Sequence, residues 1–144
     1  MRGVSILDGH NLRDVYRGYI ACLNRQDWSV LGQFVDDDVR YNASLVRLNG
    51  YRAMLENDYR QIPDLHFNIA LLIADADHIA ARLDFNCSPV GMFLGLAVNG
   101  RTVQFSENVF YRFREGRVVE VWSVIDKAAI ERQLPSGGEP APTS

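Results

Sequence analysis

The chain has 144 residues, of which 47% are apolar and 23% charged, with a formal net charge of -3. That length suits one domain able to bury about two thirds of its unfolded surface, and the composition excludes a disordered chain. The weakly acidic balance, with Lys and Arg scattered along the chain, leaves no basic footprint for nucleic acid.

Cys22 and Cys87 are the only cysteines, and neither has the spacing of a zinc or redox motif, so both read as buried thiols. Residues 1–10 lack the apolar run of a secretion signal, and no stretch approaches the roughly 18 apolar residues of a membrane span. The expectation is a cytoplasmic protein with neither membrane nor nucleic acid as partner.

In chain order, Leu12, Val15, Tyr16, Tyr19, Ile20 and Leu23 recur at helical spacing, with Asn11 placed to cap that helix. Asp27 is placed to cap a short second helix carrying Trp28, Leu31, Phe34 and Val35 on one side, stopped by the run Asp36, Asp37, Asp38. Residues 39–43 read as a short strand. Tyr51, Met54, Leu55, Tyr59 and Ile62 mark a third helix, ended by Pro63 because proline disfavours a helical residue before it.

Leu65, Phe67, Ile69, Leu71 and Ile73 alternate with more polar residues as the buried face of a strand, and Ile79, Ala81, Leu83, Phe85 and Cys87 do the same on its hairpin partner. Pro89, Gly91, Gly95 and Gly100 break the pattern, so residues 88–100 read as a loop, apolar enough at Met92, Phe93, Leu94 and Leu96 to close over a pocket. Residues 102–114 and 117–125 form a long hairpin about Glu115-Gly116, followed by a helical turn or two over 128–134. Residues 1–134 are thus expected to form a single α+β domain, and 135–144, rich in Pro, Gly and Ser, a disordered tail.

An unbroken two-residue hairpin places Tyr111 opposite Glu120, Val109 opposite Trp122, Glu107 opposite Val124 and Phe105 opposite Asp126. Glu107 and Asp126 then become diagonal neighbours, roughly 7 to 8 Å apart on an apolar face, where each raises the other's proton affinity. Such a carboxylate can act as a general base or acid. Equally open from the residues are Asp126 as the cap of the last helix, Glu107 as an ion-pair partner of Arg82 or Arg101, and Trp122 as core. His10, His66 and His78 read as exposed. Asn42 points either into the sheet's concavity or into a turn, and Tyr16 and Tyr19 pack as helix core or reach a ligand.

Several strings resemble the SnoaL-like polyketide cyclases and ester cyclases of the nuclear transport factor 2-like superfamily, over roughly residues 12–134. They are Leu23-Asn24-Arg25-Gln26-Asp27-Trp28, Phe34-Val35-Asp36-Asp37-Asp38-Val39, Ile62-Pro63-Asp64-Leu65, Gly91-Met92-Phe93-Leu94-Gly95 with Asn99-Gly100-Arg101, and Tyr111 to Asp126 with Gln133-Leu134. The last string is similar to the family's closing aromatic strand, glycine turn, Glu-x-Trp and later Asp. Relatives often carry a histidine where Asn42 stands and Gly-Thr-His where Cys87-Ser88-Pro89 stands. The resemblance implies a cone-shaped, curved mixed or antiparallel sheet, wrapped by N-terminal helices and enclosing a pocket. It also implies Asp126 as the base that removes a carbon-bound proton before aldol closure.

The resulting expectation is a cyclase or isomerase, needing neither cofactor nor metal, that acts on a small apolar or aromatic carbonyl compound. Asp126 serves as base, and Tyr16, Asn42, Phe93, Phe105, Glu107 and Trp122 line the substrate site. The alternative is a non-catalytic binding module for an apolar or aromatic metabolite. A homodimer paired through the outer sheet face is compatible with either.

Overall fold

The computed structural model describes residues 9–135. The tail expected beyond Pro135 and residues 1–8 lie outside the described residues, as does the side chain of His10.

The first helix, α1, runs Gly9–Arg25 and buries Leu12, Tyr16, Tyr19, Ile20 and Leu23, the stripe its spacing predicts. It starts before Asn11, which therefore lies inside the helix and does not cap it. A 3-10 helix, Trp28–Gln33, follows. Asp27 stands at its N-cap position without capping the backbone and accepts from the Ser29 hydroxyl. The acidic run does not end that helix. It sits in strand β1, Val35–Tyr41, where Asp36 is buried between Arg114 and Arg117 at 3.8 and 3.2 Å. A short β2, Ser44–Leu45, leads into α2, Arg47–Gln61, which packs on β1 and ends before Pro63 as expected.

Strands β3, Asn68–Asp75, and β4, His78–Cys87, form the first hairpin. β4 alternates strictly, with Ile79, Ala81, Leu83, Phe85 and Cys87 all buried. β3 does not keep one phase. Its pairing slips between Ile69 and Leu71, so Leu72 and Ala74 face the core while Leu71 and Ile73 are 54% and 51% exposed. A bulge inserts one residue and so exchanges the faces of everything beyond it.

Between β4 and the last hairpin, a flap of β5, Met92–Phe93, and β6, Leu96–Ala97, turns at Leu94-Gly95, both at positive φ. The last hairpin joins β7, Val103–Arg114, to β8, Arg117–Ile125, through Glu115-Gly116 with φ of 52° and 78°, the left-handed pair that a tight hairpin requires. The sheet order is β2-β1-β8-β7-β4-β3, with β1 parallel to β8 and the other pairs antiparallel. α1 packs on β3 and β4, and the curved sheet closes its concave face on α1 and α2. Among the described residues no helix is long and apolar enough to cross a membrane.

The expected register of the last hairpin holds for two pairs only, Arg114 with Arg117 and Phe113 with Val118. The next pair is Arg112 with Glu120, so Val119 is an extra residue, and Val118 and Val119 are both buried. Past that bulge Tyr111 faces Val121, Val109 faces Ser123 and Glu107 faces Ile125, in place of the expected Glu120, Trp122 and Val124. Trp122 and Val124 consequently point outward, 38% and 69% exposed.

The same shift carries Asp126 away from Glu107. Its backbone N–H donates to Ser106 (2.9 Å), and its carboxylate accepts from the Ala129 N–H at 3.1 Å, capping the final helix α3, Lys127–Arg132. Loss of a side-chain N-cap costs about 1 kcal/mol. Asp126→Ala is therefore expected to lower unfolding stability by about 1 kcal/mol, measured by urea denaturation, with Asp126→Ser or Asp126→Asn recovering most of it.

Candidate active site

The concave face holds a cavity in two chambers. An inner chamber of about 50 Å³ is walled by Tyr19, Tyr51, Tyr111, Leu83, Val109 and Val121. An outer chamber of about 240 Å³ lies beneath the flap, with Phe67, Phe85, Phe93, Phe105, Ile125 and Leu94 around it. Tyr41, Met54, Asp58, Phe67 and Glu107 line both, so the two acids stand where the chambers meet.

Each acid is placed by its element. Glu107 lies on the inward side of β7 between Phe105 and Val109, opposite Leu83 on one strand and Ile125 on the other. Asp58 lies on α2 four residues after Met54 and seven after Tyr51, on the stripe that faces the sheet. Burial raises the proton affinity of both carboxyls, as desolvation disfavours the charged form. For Asp58 the Glu107 charge adds to it, and its pKa is pushed up to about 7.

The two are held differently. The Ser123 hydroxyl donates a short hydrogen bond to the Glu107 carboxylate, partly offsetting its burial, and Tyr41 hydrogen-bonds to the same Ser123. Ser123 is itself fixed by Asn42, whose Oδ1 accepts from the Ser123 N–H at 2.8 Å and whose Nδ2 donates to its carbonyl at 3.3 Å. Among the described residues the Asp58 carboxyl has no hydrogen-bond or ion-pair partner, which leaves it open to the cavity. Among the described residues, Lys, Arg and His are absent from the lining of both chambers.

Behind the inner chamber stands a tyrosine cluster. Tyr19 and Tyr51 hydroxyls are 2.6 Å apart, and Tyr16 donates to Tyr111 at 3.2 Å. Desolvation raises the pKa of all four, so they are neutral donors at any working pH.

Of the residues expected at the site, Glu107, Phe93 and Phe105 line the outer chamber. Tyr16 is fully buried behind it, bonded to Tyr111. Asn42 is exposed, at φ 45°, and acts through Ser123. Trp122 is on the outer sheet face, stacked on His78 with ring centroids 6.3 Å apart. Asp126 lines neither chamber but an open depression with Arg82, Asp84, Gln104 and Ser106, which shares Phe85 and Phe105 with the outer chamber. Asp58, Tyr41 and Ser123 were not anticipated. For Asp58 a signal existed, since it falls inside the apolar stripe of its helix, where an acid is out of place unless it has a use.

Comparison with known proteins gives one consistent result. The family model described as SnoaL-like polyketide cyclase matches residues 13–134. A SnoaL-like polyketide cyclase from Agrobacterium tumefaciens strain C58 is similar at 51% identity, covering 86% of this chain and 98% of that one, with a TM-score of 0.85. TsrD from Streptomyces laurentii (22% identity, 88% and 96% coverage, TM-score 0.77) and IdmH from Streptomyces antibioticus (19%, 86% and 98%, 0.74) share the fold. No match was found among curated proteins. With most of its length matched by the family model and half its residues identical to one member over nearly all of that member, this chain belongs to the SnoaL-like polyketide cyclase family.

Proposed function

We propose that the protein moves a proton at a carbon alpha to a carbonyl, without a cofactor, and that the enolate formed either closes a ring by aldol attack or is reprotonated. Membership of a cyclase family supports an enzyme of cyclase or isomerase type. The observation that carries the finer reading is the pair of acids, Asp58 and Glu107, facing one apolar cavity lined by no cation among the described residues.

Glu107, charged and held by Ser123, takes the proton from carbon, and the C–H electron pair becomes the enolate double bond. Asp58, protonated up to about pH 7, donates to the oxygen on which negative charge develops. In ring closure the enolate carbon attacks a second carbonyl of the same molecule, and the new alkoxide takes its proton from the Glu107 carboxyl, which restores the base. The pair fills the role that the family likeness assigns to Asp126, whose carboxylate is committed to the α3 cap.

We propose further that two copies pair through the outer sheet face. Trp122, Phe110, Ala80 and Ile73 are successive cross-strand partners and make an apolar row across four strands, with Phe110 57% exposed. An isologous interface would bury that row against itself. Sedimentation should then show a dimer that Phe110→Glu converts to monomer, and a monomeric wild-type protein would rule the pairing out.

Deuterium exchange into β-keto esters and cyclic ketones tests the chemistry. Glu107→Gln is expected to slow it by about 100-fold or more, the usual contribution of a general base, while Asp126→Asn stays within about threefold. Collapse in Asp126→Asn with full activity in Glu107→Gln would overturn the assignment, and ligand binding without any exchange would favour the non-catalytic alternative.

The pH dependence should be bell-shaped. The rate rises as Glu107 ionises above the usual carboxylate range and falls through about pH 7 as Asp58 loses its proton, since the tyrosines facing the pair stay neutral. Asp58→Asn should remove the alkaline limb. Stability follows the same groups: both carboxyls bind protons more tightly folded than unfolded, so their contribution is present at low pH and lost as pH rises through about 7. Asp58→Asn is therefore expected to unfold at higher temperature than wild type at pH 8 and to gain less, or nothing, at pH 5.

A further inference from the structure

Building on the enolisation reading, we infer that the site takes a neutral carbonyl compound of about two fused rings, carbonyl end inward, and excludes both anions and four-ring compounds. The size limit comes from the chambers. A cavity of about 150 Å³ holds one benzene, so at that ratio the outer chamber of about 240 Å³ holds about ten non-hydrogen atoms. The inner chamber, about 50 Å³, is too small for any ring. It cannot open inward cheaply, because Tyr19, Tyr51 and Tyr111 that wall it are buried and Tyr19 is hydrogen-bonded to Tyr51.

Shape and orientation follow from the walls. Phe85 stacks on Phe105 with centroids 5.1 Å apart and planes 22° from parallel, Phe67 meets Phe85 edge-on at 5.5 Å, and Phe93 leans on Phe105 at 5.7 Å. These rings give flat apolar surfaces suited to a planar ligand. The polar side chains of the outer chamber are Tyr41, Asp58 and Glu107, where the chambers meet, and Gln61, whose amide N–H is already given to the Met92 carbonyl at 2.8 Å. A ring system lodged among the phenylalanines therefore turns its oxygen towards those acids and away from the mouth.

The charge limit follows from what the lining lacks. With two acids and, among the described residues, no Lys, Arg or His in the lining, a carboxylate or phosphate on the ligand would be desolvated beside like charge with no described cation to neutralise it. A compound carried as an anionic conjugate must have lost, or keep outside the mouth, its anionic part.

Calorimetric titration at pH 7 with 2-acetylnaphthalene, 2-naphthoate and 1-acetylpyrene tests this independently of turnover. The expected result is that 2-acetylnaphthalene binds at least about tenfold more tightly than each of the others and shifts the ring resonances of Phe93 and Phe105. Glu107→Gln should narrow the gap between 2-acetylnaphthalene and 2-naphthoate. Equal or tighter binding of the naphthoate or the pyrene compound overturns the inference, as does absence of binding by 2-acetylnaphthalene. Binding in the expected order without deuterium exchange would leave the inference standing and defeat the enolisation reading, whereas exchange with the wrong order would do the reverse.

Discussion

The extra residue at Val119 decides which side chains β8 turns into the cone. Before the bulge, Val118 is inward. After it, Val121, Ser123 and Ile125 take the inward positions, and Trp122 and Val124 leave them. Had the strand kept its phase, a tryptophan would lie beside Glu107 and the Ser123 hydroxyl would be outside. The bulge thus gives Glu107 a small donor in place of a large apolar neighbour. It also moves Asp126 onto the other side of the sheet, where it ends β8 and starts α3. Bulges commonly re-aim a side chain next to a site in this way.

A cavity with two acids and no cation is a cost that the rest of the core must offset. Removing a charge from water without a partner is unfavourable, and the usual escape is to hold a proton instead. Both acids have their proton affinity raised for that reason, Asp58 with the Glu107 charge adding to it and Glu107 with the Ser123 hydrogen bond opposing it, and the surrounding core is otherwise apolar or aromatic, with its tyrosine hydroxyls bonded to one another. Asn24 adds rigidity by accepting from the Phe67 N–H (2.8 Å) and donating to its carbonyl (3.0 Å), and Tyr59 donates to the Leu23 carbonyl at 2.8 Å. These bonds tie α1 to α2 and β3, so the walls of the cavity are set by groups that take no part in its chemistry.

The order and type of the elements were legible because their signals are local. The stripe of α1, the strict alternation of β4 and the Glu115-Gly116 turn each occupy a single run of sequence. The phase of β3 and β8 was not. A slip at Ile69 or at Val118-Val119 leaves the alternation plausible on either side, and only pairing with the neighbouring strand shows which residue is extra. The reading of the site inherited that error. Glu107, Phe93 and Phe105 precede the slip in β8 and line the outer chamber, while Trp122 and Asp126 follow it and lie outside that lining. Asp58 escaped notice for another reason: its place in the apolar stripe of its helix is the one local sign of burial, and the acid it faces, Glu107, is 49 positions away.

Two carboxyls facing one cavity would be interchangeable if their surroundings were alike, and a matched pair would divide a shared proton evenly. Ser123 removes that equivalence. Its hydroxyl donates to Glu107 and so favours the charged form there, while Asp58, with no such donor among the described residues and with the Glu107 charge before it, favours the neutral form. The difference between the two acids therefore depends on Ser123 staying in place, and that in turn on Asn42, which grips the Ser123 backbone by both its N–H and its carbonyl. Asn42 stands at a left-handed turn after β1, a conformation that asparagine tolerates better than most residues. A residue on the outside of the sheet thus biases which of two half-buried acids carries the charge, without touching the cavity.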